Sequence, residues 1–359
     1  MLIGRSPVRI SFAGGGTDLP SYYEQFGGCV LSTAINKYFY TILGNRTDGR
    51  VQVISSDLRL FGNWNDLRTL PAQGSGLEIP LAVLKDLGAE FSADLFLASE
   101  IPPGTGLGSS ASVCVNLLKV LTTYLHAPLS KYDLAERAYR ITRFGLGRHV
   151  GKQDEYAAAF GGLNFIRFNT DGSTQVEPLQ LDPAVLSALQ ANLMLLFTGA
   201  AHHSWDLLAD QEQSTRQAGP AVEALHEVKE AAVMMKEALL CGNLEHFGHL
   251  LDDAWQAKKR VSLHISTPRI DRLYEAAREN GALGGKITGA GGGGFLLLYA
   301  EPARQQAVRE ALHAEGVQEM AFAFDAQGAH VIVNDPFIDR DQNAGTRWTF
   351  LPIGRAAAL

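Results

Sequence analysis

Cysteine is scarce in this sequence. Cys29, Cys114 and Cys241 are the only three in 359 residues, far apart and with no C-x-x-C pair among them. That spacing supports neither a zinc ribbon nor a thioredoxin-like site, and it fits buried thiols in a reducing compartment. Long hydrophobic runs are missing as well. The longest apolar stretches, such as Phe295–Ala300, fall far short of the roughly 20 residues that span a bilayer. No long apolar core follows a basic start, so we expect no secretory signal, a cytoplasmic location and no membrane partner. Positive charge is not in excess: 31 Lys and Arg stand against 38 Asp and Glu, a net charge of −7 spread without long runs. Nucleic-acid binding needs a basic face, so no nucleic-acid partner is expected, while local basic pockets for phosphate stay open. There are no repeats and no low-complexity segments.

Several catalytic signatures are also missing. The Gly-Lys pairs are Gly151-Lys152-Gln153 and Gly285-Lys286-Ile287. Neither continues into Ser or Thr, so there is no Walker A loop. The protein-kinase tripeptides His-Arg-Asp and Asp-Phe-Gly do not occur, nor do G-x-S-x-G or H-E-x-x-H, which weakens hydrolase readings. Gly289–Gly294 matches G-x-G-x-x-G formally, but it leads into the apolar run Phe295–Tyr299 rather than a helix. A dinucleotide-binding unit is therefore not expected.

What is present is a globular composition, 46% apolar and 19% charged, with 37 glycines, many of them clustered. Val8, Ile10 and Phe12 alternate with polar residues as in a half-buried strand. Tyr38–Leu43, Arg50–Ile54 and Asp94–Ala98 read as further strands. Val113, Leu117, Leu121 and Leu125 recur at helical spacing, so Pro102–Ser112 joins a strand to a helix. Ser130–Phe144 reads as a helix with Ser130 at its N-cap, and Asp154–Phe160 as a short one ended by Gly161-Gly162. Leu163–Phe168 and Asn192–Phe197 read as strands, and residues 203 to about 278 as mostly helical. The remainder reads as strands Gly284–Ile287 and Phe295–Tyr299, helix Pro302–Ala314, and strands Met320–Phe324 and His330–Val333. This order is α+β with antiparallel pairs. A proline-marked stretch from Asp182 to Ala191 suggests a boundary between domains at 1–188 and 189–335, followed by a tail at 336–359.

A glycine-rich loop that enters a helix can aim backbone N–H groups at phosphate oxygens, and the helix N-terminus adds partial positive charge. Gly104 to Ser112 has that context, and Ser109 and Ser110 add hydroxyls able to meet phosphate or Mg²⁺. The same residues also suit a tight strand–helix turn with a serine cap.

Three stretches together carry a resemblance. Pro102-Pro103-Gly104-Thr105-Gly106-Leu107-Gly108-Ser109-Ser110-Ala111 resembles the phosphate-binding motif of the GHMP kinase family, which includes galactokinase, homoserine kinase and mevalonate kinase. Ser6–Asp18 resembles that family's first motif and Lys286–Gly294 its third, and all three occur in order. Within the family, Gly14–Leu19 and Gly151-Lys152-Gln153-Asp154-Glu155-Tyr156-Ala157-Ala158 are most similar to the wording of bacterial D-glycero-D-manno-heptose 7-phosphate kinases. The resemblance implies a two-domain fold, with a ribosomal-protein-like N-terminal domain and a ferredoxin-like C-terminal domain. It implies ATP and Mg²⁺ as cofactors and a small sugar phosphate as substrate. The expected assembly is a monomer or homodimer.

The resemblance also implies roles. Asp154 matches the aspartate of the galactokinase and mevalonate kinase sites, and Arg9 the arginine beside it. Pro103 to Ala111, with Gly291 and Gly292, are expected to hold the ATP phosphates. Gly15, Gly16, Thr17, Asp18 and Lys152 are expected to line the acceptor pocket. Asp18 matches an aspartate that binds sugar hydroxyls, and two glycines replace the Glu-His pair that precedes it in galactokinases. Ser110 matches the Mg²⁺-binding serine of mevalonate kinase. A glutamate eleven or twelve residues before the catalytic aspartate is the second ligand there. Thr142 and Arg143 occupy those positions here, which leaves Glu136 as a substitute. Arg143, Arg148, His149 and Lys152 read either as a cationic pocket for a second phosphate or as a solvated basic helix end. His202-His203 and the pair His246 and His249 read as ordinary surface or core residues. Competing functions are a fucose- or uronic-acid-type sugar 1-kinase, a decarboxylase of the same fold, and a non-catalytic sugar sensor.

Overall fold

The structure, a computed structural model, describes residues 1–65, 74–88, 92–199, 204–217 and 219–335. The segment from 336 onward, together with His202 and His203, lies outside the described residues. The alternation at Val8, Ile10 and Phe12 belongs to β1 (Leu2–Ala13), which pairs antiparallel with the eighteen-residue β2 (Gly28–Asn45). Between them lies α1 (Pro20–Phe26). The two halves of β2 have different partners. Gly28–Thr33 pairs with β6 (Leu163–Phe168), and Phe39–Asn45 pairs with β5 (Ala93–Ser99). A register shift between Pro7 and Val8 marks the change, since proline has no N–H to give the ladder. Beyond β5 lie β3 (Val51–Ser55), which pairs parallel to it, and β4 (Leu60–Trp64). β7 (Thr174–Pro178) extends the other branch beside β6.

Helices α2 (Glu78–Leu87), α3 (Ser109–Tyr124), α4 (Lys131–Arg140) and α5 (Gln153–Phe160) cover this sheet. Val115, Leu118 and Leu121 of α3 pack with Leu43 and Val53 in one buried core. Ser130 caps α4 by accepting from the Asp133 N–H, and a π-helical turn, Ile141–Gly145, continues it.

After α6 (Pro183–Asn192), β8 (Leu193–Phe197) starts a second, antiparallel sheet with β9 (Gly284–Ile287), β10 (Phe295–Tyr299) and β11 (Gln318–Glu319), in the order β11-β8-β10-β9. Between its strands run α7 (Ser204–Arg216), α8 (Pro220–Leu240), α9 (Leu244–Lys259), α10 (Pro268–Glu279) and α11 (Pro302–Ala314). A second core joins the two sheets, with Phe12 of β1 edge-on to Phe247 of α9 at 5.3 Å. Full burial of side chains of that size stabilises by about 1.5–3 kcal/mol each.

The expected strand Met320–Phe324 differs. The Met320 N–H donates to the Leu195 carbonyl in the second sheet, while Phe324 bridges Ile35 in the first. The alternating apolar residues serve a crossing between sheets. β12 (His330–Asn334) then pairs with β1 at the edge of the first sheet.

Candidate active site

The Pro102–Gly108 loop leaves β5 and enters α3, and Gly104, Gly106 and Gly108 all have left-handed φ near 75–80°. At Gly106 the need is also steric, because a Cβ there would lie 2.3 Å from the Thr288 carbonyl oxygen. The second and third glycine stretches thus touch backbone to backbone. No side chain caps the first turn of α3, so its N–H groups remain open to a ligand anion. They border a cavity of about 500 Å³ lined by Pro103, Gly104, Gly106, Gly108, Ser109, Ser110 and Ala111. Thr105 and Leu107 turn inward instead: the Thr105 hydroxyl donates to the Pro102 carbonyl, and Leu107 is fully buried. From the third stretch, Gly289 and Ala290 line the cavity. Gly291 and Gly292 lie behind them, where the Gly292 N–H donates to the Ile265 carbonyl.

Arg9 of β1 is 3% exposed and meets Asp154 of α5 with two donors, Nε at 2.8 Å and Nη2 at 2.6 Å, both to Oδ1. Its Nη1 donates to the Gly106 carbonyl at 2.7 Å, which ties strand, loop and helix together. Both bonds to Asp154 fall on one oxygen. The other, Oδ2, faces the Gly108 turn, where a Cβ would stand 3.2 Å away. Asp154 retains 29% side-chain exposure toward the cavity that it lines.

Asp18 lies deeper. It accepts from the Gly16 and Gln153 N–H groups at 2.8 and 3.2 Å and from the Gln153 amide. Burial pushes its carboxyl above the ordinary range, and Asp154 adds to the shift. Gly15 and Gly16 line the cavity beside it, whereas Thr17 is buried and bridges the Gly14 and Cys29 carbonyls. Two buried lysines approach from the second half of the chain. Lys258 of α9 donates to the Gly15 carbonyl and to Gln211, and burial lowers its pKa to about 8. Lys286 of β9 donates to the Ser11 carbonyl at 3.0 Å. Burial, reinforced by Lys258 and Arg9, lowers it to about 7. Cations held in short supply of counter-charge are suited to receive anionic groups.

Lys152 and Glu136 are not brought to the cavity. Lys152 donates to Glu136 and to the Gly172 carbonyl, both at 2.7 Å, and sits against the Tyr139 and Tyr23 rings. Glu136 also accepts from the Tyr156 hydroxyl. Of the remaining basic residues near Asp154, Arg143 and His149 bind the buried Glu212 at 2.8 and 2.6 Å. Arg148 alone of that set lines the cavity, stacked 4.6 Å from Trp205.

Among the described residues no group of three or more His, Cys, Asp or Glu side chains forms a metal cluster. Mg²⁺ needs less, since one or two carboxylates plus substrate phosphates suffice. Ser110 is exposed at the start of α3 on the cavity wall. Glu155 also lines the cavity, and its buried Oε2 has no hydrogen-bond partner among the described residues. Burial pushes its carboxyl well above the ordinary range, and Asp154 adds to this. A hydroxyl and an orphaned carboxylate oxygen on residues of one cavity wall fit a hard cation.

Sequence reasoning missed Lys258 and Glu155. A lysine on the apolar stripe Leu250, Leu251, Ala254, Trp255 and a glutamate beside Tyr156–Ala159 were the available signals. It also missed the apolar part of the cavity wall, the slot lined by Leu58, Leu77, Ile79, Pro80 and Leu97.

Known proteins resemble this chain in sequence and in fold. The family profile for the GHMP kinases N terminal domain covers residues 78–162, and that for the GHMP kinases C terminal covers 235–318. The D-glycero-alpha-D-manno-heptose 7-phosphate kinase of Campylobacter jejuni is 33% identical over 331 residues, 90% of this chain and 96% of the relative. The crystal structure of a D-glycero-D-manno-heptose 1-phosphate kinase from Bacteroides thetaiotaomicron superposes with a TM-score of 0.78 at 30% identity, covering 94% of this chain and all of that one. The L-fucokinase/L-fucose-1-P guanylyltransferase of Bacteroides fragilis is 27% identical over 345 residues, 85% of this chain but 35% of the relative. Among the described residues no helix is long and apolar enough to cross a membrane.

Proposed function

Because this chain belongs to the GHMP kinase family, a family of phosphotransferases with alcohol acceptors, we propose that it transfers the γ-phosphoryl group of ATP to the anomeric oxygen of D-glycero-D-manno-heptose 7-phosphate. The product would be the 1,7-bisphosphate, a precursor for nucleotide-activated heptose and surface glycans. The observation that carries this reading is the Arg9–Asp154 pair set against the open Gly104–Ser110 loop in one cavity. The heptose 7-phosphate kinase matched along 96% of its length supports the choice of acceptor.

In this reading the apolar slot takes adenine, and the loop and the first turn of α3 hold the phosphates. The anomeric hydroxyl lies near Asp154 Oδ2. Its oxygen bonds to the γ-phosphorus as the bond from that phosphorus to the bridging oxygen breaks, and ADP leaves. The hydroxyl proton passes to Asp154 or to water. Arg9 fixes Asp154 and faces the charge on the moving phosphoryl group. A loose transition state asks mainly for such positioning and electrostatic support. Asp18 and Gln153 meet sugar hydroxyls, while Lys258 and Arg148 are the cavity's cations for the acceptor phosphate. Ser110 is the hydroxyl that would hold Mg²⁺, which neutralises phosphate charge when bound. In this reading the ATP-dependent reaction runs in the cytoplasm.

A sugar panel read by coupled ADP release, with the product's phosphorus spectrum, tests the proposal. Turnover with the heptose 7-phosphate and a new anomeric phosphate are expected. Turnover with fucose or a uronic acid alone would overturn the acceptor in favour of the second reading, which the fucokinase relative supports.

A further inference from the structure

Resting on the kinase reading, we propose that Glu155 is the carboxylate ligand of the divalent cation that accompanies ATP, a carboxylate delivered from α5 instead of the end of α4. At the end of α4, where mevalonate kinases place a glutamate, this chain has Thr142 and Arg143. Thr142 lines the cavity, but its hydroxyl donates to the Ala138 carbonyl at 3.0 Å and carries no charge. Arg143 is paired with Glu212. Glu136 is engaged by Lys152 and Tyr156. No other carboxylate on α4 or its π-helical turn lines the cavity.

Glu155 supplies what that end of the site lacks. It is 2% exposed, it borders the cavity, and its Oε2 has no hydrogen-bond partner among the described residues. An ionised carboxylate buried this way is costly unless paired or bound to a metal. No salt bridge reaches it among the described residues, and Arg9, the cation that acts on it, is committed to Asp154 and Gly106. The charges acting on it are chiefly Asp154 and Asp18, both acidic. Its position also fits. Ser110, Thr142 and Glu155 line one and the same cavity. The helices that carry Ser110 and Glu155, α3 and α5, pack in one buried core with Cys114, Leu118, Tyr156 and Ala159. Ser110, one carboxylate and two phosphate oxygens, with water, make a sufficient set for Mg²⁺.

The test measures Mn²⁺ affinity by electron paramagnetic resonance in the complex with a non-hydrolysable ATP analogue. Wild type, E155Q, E136Q and the double variant T142E/E155Q are compared. E155Q is expected to weaken Mn²⁺ binding at least about tenfold, the scale on which even outer-shell partners act. Metal-free nucleotide affinity should be unchanged. E136Q should match wild type, and T142E/E155Q should recover most of the loss, because it returns a carboxylate to the α4 position. Wild-type Mn²⁺ affinity in E155Q, or a tenfold loss in E136Q instead, overturns the assignment. If E155Q does not fold, the wild-type complex decides. With glutamate isotope-labelled at the side-chain carboxyl, double-resonance coupling to Mn²⁺ is expected, and its absence refutes the ligand. Wild type that binds the analogue but not Mn²⁺ also overturns the assignment alone, whereas wild type that binds no nucleotide overturns the kinase reading with it.

Discussion

Replacing Lys286 with methionine isolates the cost of holding a cation under the site. Lys286 is 5% exposed, donates to the Ser11 carbonyl and has Lys258 and Arg9 as like-charged neighbours. Its fall from an ordinary 10.5 to about 7 corresponds to an electrostatic penalty on the order of 5 kcal/mol, at about 1.4 kcal/mol per tenfold change in proton affinity. The like-charge part is shared with Lys258, and the lost hydrogen bond to Ser11 costs about 1 kcal/mol. A net gain of about 2–3 kcal/mol for K286M below pH 7 is therefore expected. The sign follows from proton counting. Below pH 7 the lysine is charged in both folded and unfolded chains, so wild type carries the whole penalty. Between about 7 and 10.5 the unfolded chain keeps a proton that the folded chain has released, so wild-type stability rises with pH relative to the variant. Urea denaturation followed by tryptophan fluorescence at pH 6, 8 and 9.5 measures this. The advantage of K286M should be largest at pH 6, about halved at pH 8 and reversed by about 1 kcal/mol at pH 9.5. Parallel curves, or a wild type more stable at pH 6, would refute the reasoning.

Other outcomes are expected. Asp154→Asn should lower kcat by about 10²- to 10⁴-fold, the range for loss of an acid–base group, while nucleotide affinity measured by titration stays near wild type. Lys258, lowered to about 8, should be pulled back to its charged form by an anionic acceptor. Acceptor binding should then take up a proton at pH 8.5 and above, seen by calorimetry in buffers of different ionisation enthalpy and lost in Lys258→Met. Lys152→Met should lower the melting temperature, because it leaves Glu136 without its cation, at a cost of about 1–3 kcal/mol once the partial exposure of Glu136 is allowed for. The KM for the sugar phosphate should not change, and a raised KM would put Lys152 back in the acceptor pocket.

The glycine loops were legible because their demands are local. Left-handed φ at Gly104, Gly106 and Gly108 and a strand entering a helix are properties of neighbouring residues, and the alternation of β1 already set Arg9 apart from Val8 and Ile10. Lys152 and Asp154 show where locality misleads. They are adjacent in the motif, but residues two apart at a helix start point about 200° apart. If Asp154 faces the cavity, Lys152 must face the other way, toward Glu136 and Tyr156. The same angle counts against Glu136 as a stand-in for Thr142, since six residues of helix rotate the side chain by about 240°. Helical geometry applied to the sequence would have removed both. Lys258 is different. Its stripe on α9 predicts burial, but its partner, the Gly15 carbonyl, lies 243 residues away. Only the packing of α9 against β1, through contacts such as Phe12 on Phe247, decides that a buried lysine ends at a cavity wall rather than in a core. Glu155 combines both cases: its burial was implied by the apolar helix around it, but the missing partner for Oε2 is visible only once α3, α4 and α5 are assembled.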